Sequence, residues 1–236
     1  MNRLLGRIRK GLIVLGFATL LCSALIPATS FAADVDVYAE GAYTATDLVI
    51  YIYADINTGA ILSFGVKVSY PSTLTFSSAT KNEAVWFFGD GTTNHPYMDP
   101  ADDGSGVVII GGKLDTAAPT AGVTGSRVPL GTVTFTHGGI TDFSGVTLTY
   151  GRGDGTGTYK NFVGTDGTVF DSADASGVVF NVTIAERGDA NADGNFDVND
   201  FLRLKGLMGA TDFPPYADCN NDQKIDVNDF LCLKNK

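Results

Sequence analysis

Histidine, cysteine and tryptophan are scarce in this chain, which contains two, three and one of them among 236 residues. The histidines, His95 and His137, are far apart in sequence, and Gly-x-Ser-x-Gly and His-Glu-x-x-His motifs are absent. A pair of carboxylates could serve glycoside hydrolysis. The candidates lie in turn-like sequence, where solvated acids are the ordinary case: Glu83, Asp90 and Asp102. We therefore expect no catalytic residues and no enzyme activity.

Basic residues are also few, since 16 Lys and Arg stand against 26 Asp and Glu, giving a formal net charge of −10. The first 32 residues hold four basic residues and no acidic one, so their removal would take the net charge to −14. Such a charge repels phosphate backbones and anionic lipid headgroups. We therefore expect neither nucleic acid nor, after cleavage of the N-terminal segment, a membrane as a partner.

A long apolar run occurs near the N-terminus. Arg3, Arg7, Arg9 and Lys10 precede the apolar stretch Gly11–Leu25, and Ser30-Phe31-Ala32 has the small-x-small pattern of a cleavage site. A permanent transmembrane anchor is the alternative, but the run is short for a spanning helix of about 20 residues. We predict that residues 1–32 are a signal peptide and that the protein is secreted, to the extracellular space or cell surface.

Residues 33–186 have the alternation of a mainly β domain. Val133 and Phe135 alternate with threonines, and Val178, Phe180, Val182 and Ile184 alternate with polar or small residues. The stretch 48–56 is apolar at most positions, as expected for a central strand with both faces covered. Gly-, Asp- and Asn-rich turns separate the runs, and no long amphipathic helix is visible. Two packed antiparallel sheets, a β-sandwich, are the expected fold.

An acidic pattern occurs twice near the C-terminus, and 11 of 17 aligned positions are identical between residues 189–205 and 218–234. Oxygen-bearing side chains recur at loop positions 1, 3, 5, 9 and 12, and the backbone carbonyl of position 7 would complete a calcium shell. Two solvated acidic turns are the alternative, but the duplication argues against it. The first predicted ligand set is Asp189, Asn191, Asp193, Asn195, Asp197 and Asp200. The second is Asp218, Asn220, Asp222, Lys224, Asp226 and Asp229.

Each loop runs into the helix-like sequence Asp-Phe-Leu-x-Leu-Lys, and position 12 is Asp rather than the Glu of an ordinary EF-hand. A duplicated loop–helix unit of this kind resembles the type I dockerin domain of cellulosome-type assemblies. The resemblance implies a small all-α module at residues 187–236 with two EF-hand-like calcium loops and a cohesin domain as partner. It also implies partner contacts at loop positions 10 and 11, which here are Val198, Asn199, Val227 and Asn228.

The second loop departs from the pattern at position 6, where Gln223 replaces the glycine that Gly194 provides in the first. A non-glycine residue in that sharp turn costs about 1 kcal/mol, and the chain stops seven residues after Asp229. We therefore expect two Ca²⁺ ions, the second bound more weakly. Cys219 and Cys232 lie in this repeat, and the sequence leaves open whether they form a disulfide.

The β domain itself resembles cohesins and related carbohydrate-binding sandwiches. The resemblance rests on 59–76, in which an alternating strand ends in Tyr70-Pro71 followed by Leu74, and on the later runs 106–112 and 128–135. It implies a cohesin-like jelly roll that binds a dockerin or a polysaccharide. Exposure of Trp86 on a flat face would favour the polysaccharide.

These expectations combine into a secreted, non-catalytic scaffold or adaptor that assembles extracellular complexes through calcium-dependent dockerin–cohesin pairing, linked to polysaccharide degradation. The alternative is a carbohydrate-binding sandwich that its dockerin delivers to a scaffold.

Overall fold

The computed structural model describes residues 35–93, 98–104, 106–112, 121–151, 162–167, 169–170 and 178–236. The predicted signal peptide, residues 1–32, and His95 lie outside the described residues. None of the helices in the described part is long and apolar enough to cross a membrane.

The described chain is mainly β, which confirms the expected fold class, and its two helices lie in the C-terminal segment. The strands are β1 (Val35–Tyr43), β2 (Asp47–Ser69), β3 (Leu74–Lys81), β4 (Ala101–Asp102), β5 (Val107–Gly112), β6 (Val123–His137), β7 (Thr147–Tyr150), β8 (Phe162–Gly164), β9 (Val169–Phe170) and β10 (Val179–Glu186). The helices are α1 (Val198–Leu207) and α2 (Val227–Leu233).

Strand β2 runs through both layers of the sandwich. Its first half, 47–56, pairs with β1 and β6, and its second half, 61–69, pairs with β5, β7 and β8. Gly59, between the halves, has φ +73°, a conformation that glycine adopts at little cost. The first sheet therefore has the order β10–β1–β2–β6–β3, and the second holds β4, β5, β7, β8 and β9 around the distal half of β2.

One pair of strands differs from the antiparallel expectation, because β10 lies parallel to β1. A parallel pair needs a long crossover connection, which the eight intervening strands β2–β9 of residues 47–170 and their loops provide. The register sets Glu186 beside Tyr43, so β10 ends where β1 ends. The C-terminal module therefore begins at this edge of the first sheet.

The apolar faces of the two sheets form one core. Phe64 and Val66 from the distal half of β2 pack in the same cluster as Ile50 and Phe135 from the first sheet. Trp86 is 2% exposed, its ring lies 4.8 Å from that of Phe64, and its Nε1 donates to the Pro129 carbonyl at 3.2 Å. Trp86 is thus a core residue and offers no flat binding face.

The apolar stretch 48–56 alternates in burial rather than lying buried on both faces. Leu48, Ile50 and Ile52 are fully buried, whereas Tyr51 and Tyr53 are half-buried on the opposite, outer face of the first sheet. The C-terminal module partly covers this outer face, on which Tyr51 and Tyr53 lie on the same side of β2 as Asp55.

Candidate calcium loops and docking surface

Each C-terminal loop closes around its first aspartate. In the first loop, Oδ1 of Asp189 accepts from the backbone N–H of Asp193 at 3.1 Å, and Oδ2 accepts from that of Gly194 at 2.8 Å. In the second loop, the carboxylate of Asp218 accepts from Asp222 and Gln223 at the same two distances. The two loops therefore have the same backbone path although their sixth residues differ.

The last aspartate of each loop joins its beginning to the following helix. Asp200 is fully buried and accepts from the backbone N–H groups of Asn191 at 3.3 Å and Asp197 at 2.9 Å. Asp229, also fully buried, accepts from Cys219 and Asp226, both at 2.9 Å. These bonds satisfy N–H groups at the loop start and at the helix N-terminus, where a carboxylate is favourable.

The remaining predicted ligands are more exposed. Asn191 donates to Oδ2 of Asp193 at 2.8 Å, and Asn220 donates to Asp222 at 3.0 Å. Asp197 and Asp226 are the N-caps of α1 and α2 and accept from Asn199 and Asn228 at 2.7 Å. The side chains of Asn195 and Lys224 are exposed, so these residues could serve a cation through their backbone carbonyls.

The oxygen-rich loops suit a hard cation. Burial raises the pKa of Asp189, the nearby charges of Asp200 and Asp193 raise it further, and the N–H groups of Gly194 and Asp193 oppose them. A divalent cation would offset this gathering of like charges. Among the described residues, no group of three or more His, Cys, Asp or Glu side chains is arranged to hold a metal by itself. A calcium shell here would therefore depend on Asn oxygens and backbone carbonyls as well, which Ca²⁺ accepts.

The sixth position of both loops has a left-handed backbone. Gly194 has φ +82° and Gln223 has φ +64°. Glycine reaches this region freely, whereas a side chain there is strained. Gln223, which stands where the first loop has glycine, therefore has a strained backbone.

A disulfide joins Cys219 to Cys232, with their Cα atoms 5.9 Å apart. The bond links the second loop to α2, a helix of seven residues. The sequence could not decide this pairing, because it does not give the distance between the two cysteines.

The residues predicted to contact a partner lie exposed at the start of each helix. Val198 is 65% exposed and Val227 is 60% exposed, and Asn199 and Asn228 beside them are also exposed. One turn further on, Leu202 and Leu231 are 61% and 55% exposed and extend each patch. Their i, i+4 spacing from the valines was the signal in the sequence that could have identified them.

Arg127, on β6, ties the sandwich to the C-terminal module, and no pattern in the sequence marks it for this role. Its Nη1 donates to Oε1 of Glu40 at 2.9 Å, its Nη2 donates to the Phe213 carbonyl at 2.9 Å, and it forms an ion pair with Asp212. The guanidinium also lies 4.2 Å from the centre of the Tyr53 ring. These partners raise the pKa of Arg127 against the opposing effect of burial.

Other contacts support the same junction. Tyr216 packs against Ala42 and Ala185, and Lys236 lies 2.7 Å from Oε1 of Glu186. The buried side chain of Arg187 donates to the carbonyls of Pro215 and Asp218 at 3.0 Å. The module is therefore held against the sandwich over several elements, and each predicted docking patch remains exposed.

This chain is similar to a protein-family model and to solved structures. Residues 187–236 match the family model described as the dockerin type I domain. No curated protein matches the chain significantly.

Solved structures similar to this chain are cohesin modules. A non-cellulosomal cohesin from the archaeon Archaeoglobus fulgidus is 15% identical with a TM-score of 0.41. The match covers 65% of this chain and 91% of the cohesin chain. The seventh ScaB type I cohesin from Pseudobacteroides cellulosolvens is 14% identical with a TM-score of 0.39, covering 64% and 92%. Scores this low carry no argument about function. The family model, by contrast, confirms the resemblance that the duplicated loop–helix pattern indicated: residues 187–236 are a type I dockerin module.

Proposed function

We propose that this protein is a secreted, non-catalytic adaptor whose C-terminal module binds a cohesin-type domain in a calcium-dependent manner. The observation that carries the proposal is the duplicated, exposed aliphatic patch at the start of α1 and α2. Exposed valine and leucine side chains that adjoin one another form an apolar patch, and such patches mark protein interaction sites, unlike single scattered apolar residues.

The two patches are near-equivalent in composition. The first, the α1 patch, consists of Val198, Asn199 and Leu202, and the second, the α2 patch, consists of Val227, Asn228 and Leu231. Behind them, the rings of Phe201 and Phe230 lie 6.0 Å apart, and Leu204 and Leu233 are buried in one small core. A partner that recognises one patch would therefore meet similar chemistry on the other, after a rotation of the module.

Calcium would have a structural role in this module, which agrees with the general calcium binding of type I dockerin domains. The proposed ligands of the first ion are Asp189, Asn191, Asp193, Asp197, Asp200 and the carbonyl of Asn195. Those of the second are Asp218, Asn220, Asp222, Asp226, Asp229 and the carbonyl of Lys224. The strained backbone at Gln223 supports weaker binding by the second loop.

The test is capture of the chain by a panel of immobilised type I cohesin domains, with Ca²⁺ and with EDTA. We expect at least one cohesin to retain the chain in Ca²⁺ and to release it in EDTA, because loss of the ion removes the loops that position α1 and α2. Failure of the whole panel to bind, or binding that survives EDTA, would contradict the proposal.

The assignment of residues 1–32 to a signal peptide and 33–186 to a cohesin-like domain belongs to this proposal, as does a setting in extracellular polysaccharide degradation. A dockerin or a polysaccharide is the proposed partner of the sandwich. Burial of Trp86 removes the flat aromatic face on which the carbohydrate-binding alternative depended.

A further inference from the structure

The outer face of the first sheet has two adjoining clefts that share Tyr51 and Tyr53. One, of about 330 Å³, lies towards the C-terminal module, and Arg127, Thr211, Asn221 and Gln223 contribute to its walls. The other, of about 350 Å³, extends over β6 and β3 and is lined by Thr80, Lys81, Asn82 and Thr132. Together they form one surface, the Tyr51 groove, which is separate from the α1 and α2 patches.

The strand register arranges the groove as a row across the sheet. Tyr51 pairs with Glu40 of β1 on one side and with Thr132 of β6 on the other, and Thr132 pairs with Thr80 of β3. A half-buried tyrosine thus lies beside the hydroxyl side chains of Thr132 and Thr80 in the groove. Tyrosine combines an apolar ring face with a polar tip, and this combination suits a ligand whose rings have both apolar faces and hydroxyl groups.

The charged groups that line the groove already have partners. Arg127 pairs with Glu40 and Asp212, and Lys81 lies 2.7 Å from Asp99 and 3.4 Å from Glu83. Arg187 is satisfied by two backbone carbonyls, and the Asp218 carboxylate accepts from the N–H groups of Asp222 and Gln223. The groups left to recognise a ligand are amides and hydroxyls, and these favour a neutral, polyhydroxylated molecule over an anion.

Two residues with left-handed backbone place amide side chains on the groove wall. Asn221 has φ +60° and Gln223 has φ +64°, and both line the cleft nearer the module. The equivalent positions of the first loop, Ala192 and Gly194, have φ +59° and +82°, so this backbone belongs to the loop in both repeats. What distinguishes the second loop is the amide side chain at each of the two positions.

We propose that the Tyr51 groove binds a neutral oligosaccharide, with Tyr51 as the stacking surface and Asn221 and Gln223 as hydrogen-bonding groups. This inference rests on the polysaccharide partner proposed above for the sandwich; the site uses neither helix patch, so its failure in a test would leave the docking function untouched. It also joins sandwich and module in one site, because residues of both line it.

The test is calorimetric titration of the whole chain in Ca²⁺ with cellohexaose, xylohexaose and mannohexaose, and with hexagalacturonate as the anionic probe. We expect at least one neutral hexasaccharide to bind, and Tyr51→Ala to weaken it about tenfold or more, as loss of a central aromatic contact does. Val49→Ala is the matched control, since Val49 lies two residues away on the same face of β2, outside both clefts.

Gln223→Gly gives a second readout, in which the affinity for the sugar and the stability of the module are not expected to fall together. The change should weaken binding of the neutral hexasaccharide, because a hydrogen-bonding amide is lost. It should leave the module at least as stable, because a strained backbone is relieved. Gln223→Ala replaces Tyr51→Ala if that variant fails to fold. The proposal is overturned if no neutral hexasaccharide binds, if hexagalacturonate alone binds, or if the Tyr51 and Gln223 variants bind as the unsubstituted chain does. Cohesin capture by the same preparations reports the docking function separately.

Discussion

At the scale of single residues, the two candidate calcium loops differ at position 6. Gly194 and Gln223 both have left-handed backbone, and a Cβ built on Gly194 would meet no atom within 4 Å. A side chain at Gly194 would therefore meet no steric obstacle, and the backbone conformation alone would set its cost.

We predict that Gly194→Gln lowers the free energy of unfolding by about 1 kcal/mol at saturating Ca²⁺. The reverse change, Gln223→Gly, should raise it by a similar amount, about 1 kcal/mol, because both the backbone strain and the entropy of the unfolded chain enter with reversed sign. Urea denaturation monitored by circular dichroism measures both.

Gly138→Gln is the control for this pair. A Cβ at Gly138 would also meet no atom within 4 Å, but Gly138 is not among the residues with positive φ. An exposed substitution of this kind changes stability by about 0.5 kcal/mol or less. Equal costs for Gly138→Gln and Gly194→Gln would show that the backbone at position 6 is not the cause.

Single residues were predictable from sequence where their partners are local. The spacing of Asp189 and Asp200 follows from a loop of fixed length, and both carboxylates accept from backbone N–H groups of that loop. Arg127 was not predictable, because Glu40 and Phe213 are 87 and 86 residues away in sequence. Only the fold brings these groups together.

At the scale of elements, α2 depends on its disulfide. The helix has seven residues, far fewer than an isolated helix needs in water. Its attachments are the capping box of Asp226 and Asp229, the buried Leu233 and the Cys219–Cys232 bond.

We predict that the double variant Cys219→Ser/Cys232→Ser lowers the free energy of unfolding by about 2–3 kcal/mol, as expected for a bond that closes a short loop. Calcium affinity of the second loop should fall more than that of the first, because the bond begins in the second loop. Denaturation and calorimetric Ca²⁺ titration measure the two effects.

Reduction of the unsubstituted protein provides an independent comparison. Dithiothreitol should bring its stability to that of the double variant and leave the double variant unchanged. If the reduced protein is as stable as the oxidised one, the bond does not hold α2.

The strands show what periodicity can predict and where it stops. Alternation placed Val133 and Phe135 of β6 in the core, where they lie. It misassigned the outer face of 48–56, because a face covered by another module reads in sequence like a face inside the sandwich. The parallel pairing of β1 with β10 was also out of reach, since alternation is the same in both strand directions.

At the scale of the whole molecule, Arg127 fixes the module on the sandwich. It contacts Glu40 and Tyr53 on one side and Asp212 and the Phe213 carbonyl on the other. The pair with Glu40 is shielded, since side-chain exposures are 18% and 13%, whereas Asp212 is 65% exposed and contributes less.

We predict that Arg127→Ala separates the unfolding of sandwich and module into two calorimetric transitions, and that Arg127→Lys does not restore one transition. Lysine cannot reproduce the forked contacts of a guanidinium with a carboxylate and a carbonyl. Breaking the Glu40 pair should cost about 2–3 kcal/mol. Lys205→Ala, an exposed change on α1, is the control and should keep a single transition.

The whole molecule thus presents two near-identical patches on a module held firmly against its sandwich. The central claim is that either patch can dock to a cohesin-type domain when Ca²⁺ is bound. The direct test is calorimetric titration of a cohesin that binds the chain with three variants: Val198→Asp/Leu202→Asp, Val227→Asp/Leu231→Asp, and all four changes together.

We predict that each double variant binds within about threefold of the unsubstituted chain, since a second patch remains, and that the fourfold variant loses binding by at least about a hundredfold. All variants should keep the thermal midpoint of the parent, because the four side chains are exposed. Full binding by the fourfold variant, in Ca²⁺ and correctly folded, would contradict the account.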